Sequence, residues 1–130
     1  MNSDCISIKA DYKVTLVRYD DIIYIESVGE YVRLHLTSGS SIMTLFRLKN
    51  MESALPSDRF MRVHRSYIVN INKIRFVGEE HRMHFITLDD DSIRRLPLSK
   101  SYYESILASL NTMKSWREKI NTITDNDTQA

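Results

Sequence analysis

Only three glycines, two prolines, one tryptophan and one cysteine occur in the 130 residues of this chain. A single cysteine, Cys5, excludes an internal disulfide framework and fits a reducing compartment, so the expected location is the cytoplasm. No apolar run is longer than a stretch such as Ile22 to Ile25, far short of a membrane-spanning helix, and no membrane partner is expected. The opening MNSDCISIK lacks a basic segment followed by an apolar one and does not read as a signal peptide. No HExxH, CxxC or glycine-rich phosphate loop is present. The four histidines, His35, His64, His81 and His84, form no ligand pattern, and Asp89-Asp90-Asp91 lacks the ligand spacing of a calcium loop and reads as a solvated turn. No acid, base and nucleophile converge in the pattern, so neither an enzyme nor a metal or cofactor protein is expected.

What is present is a succession of short β-branched or aromatic runs. They predict strands over about Ile6–Lys9, Lys13–Arg18, Ile22–Ile25, Tyr31–Leu36, Ser41–Leu45, Phe60–Val63, Tyr67–Val69, Ile74–Val77, Met83–Leu88 and Ser92–Leu96. Gly29, Gly39 and Gly78 read as turns between strands, as do Asp20-Asp21 and the acidic run at 89–91. Alternation in Tyr31–Leu36 and Met83–Leu88 predicts one solvated face for each. Leu45, Leu48, Met51 (or Glu52) and Leu55 form a short helical stripe stopped by Pro56. Ser99 suits a helix N-cap, with Tyr103, Leu107 and Leu110 recurring behind it and Met113 and Trp116 extending the apolar side. From Asn121 onward the chain is polar and unpatterned, which predicts a disordered tail. The fold class expected is mainly β: several small, mostly antiparallel sheets with a short mid-chain helix and a C-terminal helix.

Net charge is only +1, but the charges are segregated. From Arg59 to Gly78 the chain carries Arg59, Arg62, Arg65, Lys73 and Arg75 and no acid, and from Ile93 to Lys100 it carries Arg94, Arg95 and Lys100 and no acid. A near-neutral protein built this way can still present one strongly positive face. In FMRVHRSYIVN, His64, Arg65 and Ser66 fall in the connection between two strands, where side chains project beyond a sheet edge. Arg65 has the donor fork that matches guanine O6 and N7, and His64 and Ser66 can donate or accept at a base or phosphate. Arg62 adds charge beside them. On this stretch alone, a solvated loop and a nucleic-acid contact remain equally open. Two further segments favour the contact: Tyr31 and Arg33 follow the Gly29 turn on one strand face, and Ser99 and Lys100 stand at a helix start that suits a phosphate.

Together DIIYIESVGEYVRLHL, ALPSDRFMRVHRSYIVNINKI and RRLPLSKSYYESIL resemble the LytTR family of DNA-binding domains over Asp11 to Leu110. The resemblance implies a β-rich fold without a helix-turn-helix, whose loops enter successive major grooves and bend the duplex. It implies a transcriptional regulator, most often the output half of a two-component response regulator. Carried over by position, it puts Tyr31, Arg33, Arg62, His64, Arg65, Ser66, Ser99 and Lys100 at the DNA. His64 and Arg65 fall in the major groove, Arg33 on base or backbone, and Ser99 and Lys100 mainly on phosphate. Two copies on direct repeats, with weak self-association, are the expected assembly. Residues 1–10 read as an extension or linker remnant, 11–110 as the DNA-binding domain, and 111–130 as helix extension and tail. Residues 1–10 are too few for a receiver domain, so the reading is either the C-terminal part of a longer regulator, with that domain upstream as partner, or a stand-alone one. The competing reading is a protein-interaction module whose basic edge meets an acidic partner. RNA is a weaker variant, because no exposed aromatic ladder is evident.

Overall fold

The computed structural model describes residues 4–89 and 95–112. Ten strands and two helices follow in the order β1 (Cys5–Ala10), β2 (Lys13–Arg18), β3 (Ile22–Val28), β4 (Tyr31–Leu36), β5 (Ser41–Leu45), α1 (Leu48–Ala54), β6 (Phe60–His64), β7 (Tyr67–Asn70), β8 (Ile74–Glu80), β9 (Met83–Leu88), β10 (Arg95–Leu98) and α2 (Lys100–Thr112). They form a β1-β2 hairpin, a five-stranded sheet in the order β5-β4-β3-β7-β6, and a three-stranded sheet in the order β10-β9-β8. Every strand pairing among the described residues is antiparallel. The expected fold class holds, and no helix-turn-helix occurs among the described residues.

The five-stranded sheet lies between two cores, which is why its central strand β3 reads IIYI without alternation. A bulge between Ile22 and Tyr24 shifts the pleat. As a result Ile22 and Ile25 pack with Val32, Leu34, Leu48, Met51 and Ile68 towards α1 and the β1-β2 hairpin. Ile23 and Tyr24 pack with Val63, Val69, Ile74, Ile86, Ile106 and Leu110 towards the smaller sheet and α2. Each such apolar side chain taken fully out of water contributes about 1.5–3 kcal/mol. A buried polar group anchors the interior: the Asn70 amide donates to the carbonyls of Tyr19 and Ile22 at 3.1 and 2.8 Å.

Several expectations are corrected by these contacts. Gly78 is no turn; it sits within β8 directly opposite Phe85. A Cβ on Gly78 would lie 2.4 Å from Phe85 Cζ, so glycine is there to admit the ring. The reversal between β8 and β9 falls instead at His81-Arg82, both with positive φ. Leu45 does not start a helical stripe. It ends β5, 64% exposed, and α1 begins at Leu48. In α2 the buried positions are Ile106 and Leu110, with Leu107 only half-buried. The C-terminal end of β9 has no wet face, since Ile86, Thr87 and Leu88 are all buried. Residues 5–10 form β1, in keeping with the strand expected over Ile6–Lys9, and Ile8 joins the core. Arg94, the acids at 90–91, Met113, Trp116 and the tail lie outside the described residues.

Candidate nucleic-acid interface

The antiparallel ladder fixes where the connections fall. β3 pairs with both β4 and β7, so the β3-β4 turn at Gly29-Glu30 and the β6-β7 turn at Arg65-Ser66 lie at the same end of the sheet. Gly29 adopts φ +61°, which a side chain there would resist. The two turns are joined directly, because the Ser27 amide donates to the Ser66 carbonyl at 2.9 Å. The start of α2 is tied to the same end: the Ser99 amide donates to the Val63 carbonyl at 2.9 Å. Three connections that are distant in the chain thus form one rim.

The β6-β7 turn is held from within. A bulge between Arg62 and His64 buries Val63 and leaves His64 opposite Tyr67, with ring centroids 5.5 Å apart. Arg62 Nε donates to the His64 carbonyl at 2.8 Å and Nη2 to the Arg65 carbonyl at 2.7 Å. Its Nη1 meets Glu52 of α1 at 3.0 Å. With its side chain 14% exposed, Arg62 is engaged at all three guanidinium nitrogens, whereas Arg65 is exposed and projects from the turn.

His64 Nδ1 accepts the Ser66 amide at 3.1 Å. That bond requires an unprotonated Nδ1, so the neutral ring carries its proton on Nε2 and is a donor there. Burial, and then the neighbouring Arg65 and Arg62 charges, lower the His64 pKa below the usual 6.5. Near neutral pH the rim therefore presents a neutral imidazole donor beside the exposed Arg65 guanidinium.

The other expected residues are placed with differing prominence. Tyr31 opens β4 next to the turn and is 45% exposed, opposite Leu45. Arg33 lies two pairs further in, on the sheet face, where Nη1 meets Glu26 Oε1 at 3.5 Å. Glu26 is shared with His35, whose Nε2 lies 2.6 Å from the same oxygen. Arg33 is thus partly neutralised and stands back from the rim. Ser99 caps α2 through its carbonyl, which accepts the Tyr102 and Tyr103 amides at 2.9 and 3.1 Å, and Lys100 beside it is exposed. As at any helix start, the first amides have no intrahelical acceptor and suit an anion. An acid also stands on the rim at Glu30, with Arg47 in the same shallow pocket.

Sequence reasoning missed Arg82. It lines a cleft of about 350 Å³ with His64, Ser99 and Lys100. The signal was the two-residue gap between EE and MHF, hidden because Gly78 looked like the turn. Among the described residues no group of acids, histidines and cysteines is arranged to hold a metal, and no helix is long and apolar enough to cross a membrane.

Residues 12–111 match the profile of the family described as LytTr DNA-binding domain. The chain is 32% identical over 80 residues to the CO-responsive transcriptional regulator RcoM of Rhodospirillum rubrum, covering 62% of this chain and 34% of that protein. It is 28% identical over 99 residues to the transcriptional regulatory protein YpdB of Escherichia coli K12, covering 76% of this chain and 40% of the relative. A solved LytTr DNA-binding domain of a putative methyl-accepting/DNA response regulator from Bacillus cereus superposes with a TM-score of 0.69 at 25% identity, covering 82% of this chain and 96% of that one. The chain thus spans about a third to two-fifths of the length of the curated relatives it matches.

Proposed function

The chain belongs to the LytTR family of DNA-binding domains, and on that premise we propose that it binds double-stranded DNA sequence-specifically through the single rim just described. In this reading His64 and Arg65 enter a major groove, with Arg65 bidentate to guanine and His64 Nε2 donating to a base acceptor. The β3-β4 turn enters a neighbouring groove, where the Glu30 carboxylate suits a cytosine amino group and Tyr31 packs alongside. Arg33 reaches base or backbone. Ser66, Ser99 and Lys100 hold phosphates and set the register. Arg62 serves the interface by holding the β6-β7 turn.

The observation that carries this reading is the hydrogen-bonded joining of three separate connections at one end of the sheet. A rim of that kind, fixed before binding, limits the ordering cost of association. The chain acts in this view as the output part of a cytoplasmic transcriptional regulator controlled by an upstream receiver domain. Two copies occupy direct repeats, associating weakly off DNA.

The test is selection of bound duplexes from a random pool, followed by salt titration of the selected site. Enrichment of a repeated motif, with affinity falling steeply as salt rises, is the expected result. Arg65→Ala should cost about 1–3 kcal/mol and relax preference at one base position, whereas Lys100→Ala should weaken all duplexes alike. No enrichment from the pool would refute the proposal.

A further inference from the structure

The β8-β9 hairpin has a feature that its own folding does not require. Glu80 and Met83 close a two-residue turn, and the turn residues His81 and Arg82 have φ of +52° and +67°. Such a turn favours Asn-Gly or similar pairs, because side chains resist the left-handed region. Glycine at either position would relax the backbone. The chain instead carries two long, nitrogen-bearing side chains there.

Arg82 reaches a cleft formed with His64, Met83, His84, Ser99 and Lys100, and among the described residues no carboxylate lines it. Glu80, the nearest acid in the hairpin, is taken by Arg95 of β10. Among the described residues Arg82 has no ion-pair partner of its own. The cleft opens beside two of the three connections of the rim, through His64 and through Ser99-Lys100. A guanidinium and an ammonium flanking an acid-free cleft fit an anionic oxygen group, and beside that rim the group at hand is a phosphodiester.

We propose that the β8-β9 turn is a fourth DNA-contacting element, with Arg82 holding a backbone phosphate on the flank of the site reached by Lys100. The inference rests on the DNA reading above and adds a contact to it. Arg82 fixes position on the duplex and carries no base preference.

The test uses the full chain, the selected duplex and a scrambled duplex, with affinity measured against KCl concentration. Arg82→Ala should weaken both duplexes by about tenfold at low salt and reduce the slope of log K against log salt by about 0.9, leaving base preference intact. Arg82→Lys should retain the slope. Arg82→Gly separates the roles: it should raise the melting temperature by relieving the positive φ and still lose affinity as Arg82→Ala does. A merely structural turn would give Arg82→Gly with raised stability and unchanged binding, and that result overturns the inference. An unchanged salt slope in Arg82→Ala, with normal wild-type binding, overturns it as well. A wild-type chain that binds neither duplex would instead overturn the DNA reading and this inference with it.

Discussion

Arg62→Ala separates a residue that touches DNA from one that positions those that do. The substitution removes two charge-assisted hydrogen bonds to the His64 and Arg65 carbonyls and the ion pair to Glu52. Charge-assisted bonds contribute about 1.5–3 kcal/mol each when sheltered, and here about 1 kcal/mol each, because Arg65 is exposed and water can take over at its carbonyl. Glu52 is 46% exposed, so its pair adds at most about 0.5 kcal/mol. The expected loss of stability is about 2–3 kcal/mol, a drop of about 1–2 M in the urea midpoint. The larger functional effect is on the turn. Ordering the backbone of even one released residue costs about 1–2 kcal/mol, and specific binding must meet that cost again. Specific affinity should therefore fall about tenfold more than non-specific affinity. The salt slope should stay unchanged, because no phosphate contact is lost. A slope reduced by about 0.9, with stability and the specificity ratio both intact, would show that Arg62 itself contacts phosphate and would refute the reasoning.

Three further outcomes are expected. Gly78→Ala should destabilise the chain by about 1–3 kcal/mol, because the Phe85 ring over Gly78 is covered by the Arg95 guanidinium 3.9 Å from its centroid and has little room to retreat. Thermal unfolding should show much of that loss recovered in Gly78→Ala/Phe85→Leu, and strictly additive effects would discard the steric account. His64 should titrate below 6.5 by NMR in the free protein. Because the unfolded chain then binds the proton more readily, stability contributed at this site is fully present above pH 6.5 and declines as pH falls through that value towards the lower folded pKa, with loss of the Ser66 amide bond. A measured pKa at or above 6.5 would contradict this. Thr87→Val should stabilise by about 1 kcal/mol in urea unfolding, since the buried Thr87 hydroxyl has no hydrogen-bond partner among the described residues.

Much of the strand order is legible in the sequence because turns and strands differ in composition. What escapes is whatever depends on a partner elsewhere. Gly78 fails as a turn marker because glycine serves both positive φ and close approach, and only the register with Phe85 distinguishes the two. Leu45 fits a helical spacing to Leu48, but its strand pairing with Tyr31 outweighs it. The run of four buried residues in β3 follows from a bulge between two cores, which no local period encodes. At the rim, Arg65 and Lys100, exposed and without an ion-pair partner among the described residues, are the ones whose placement charge segregation anticipated. Arg62 looks the same in sequence, yet the bulge at Val63 turns it inward against the turn carbonyls. Arg82 was hidden by the misplaced turn.

The most direct measurement is amide chemical-shift mapping of the labelled chain titrated with its selected duplex. The account predicts that the largest changes fall on Glu30 and Tyr31, on His64 to Ser66, and on Ser99 and Lys100, while Thr37 to Ser40 at the opposite end of the sheet stay still. Changes centred on the β4-β5 turn or the outer face of the β1-β2 hairpin, with the three connections silent, would contradict it.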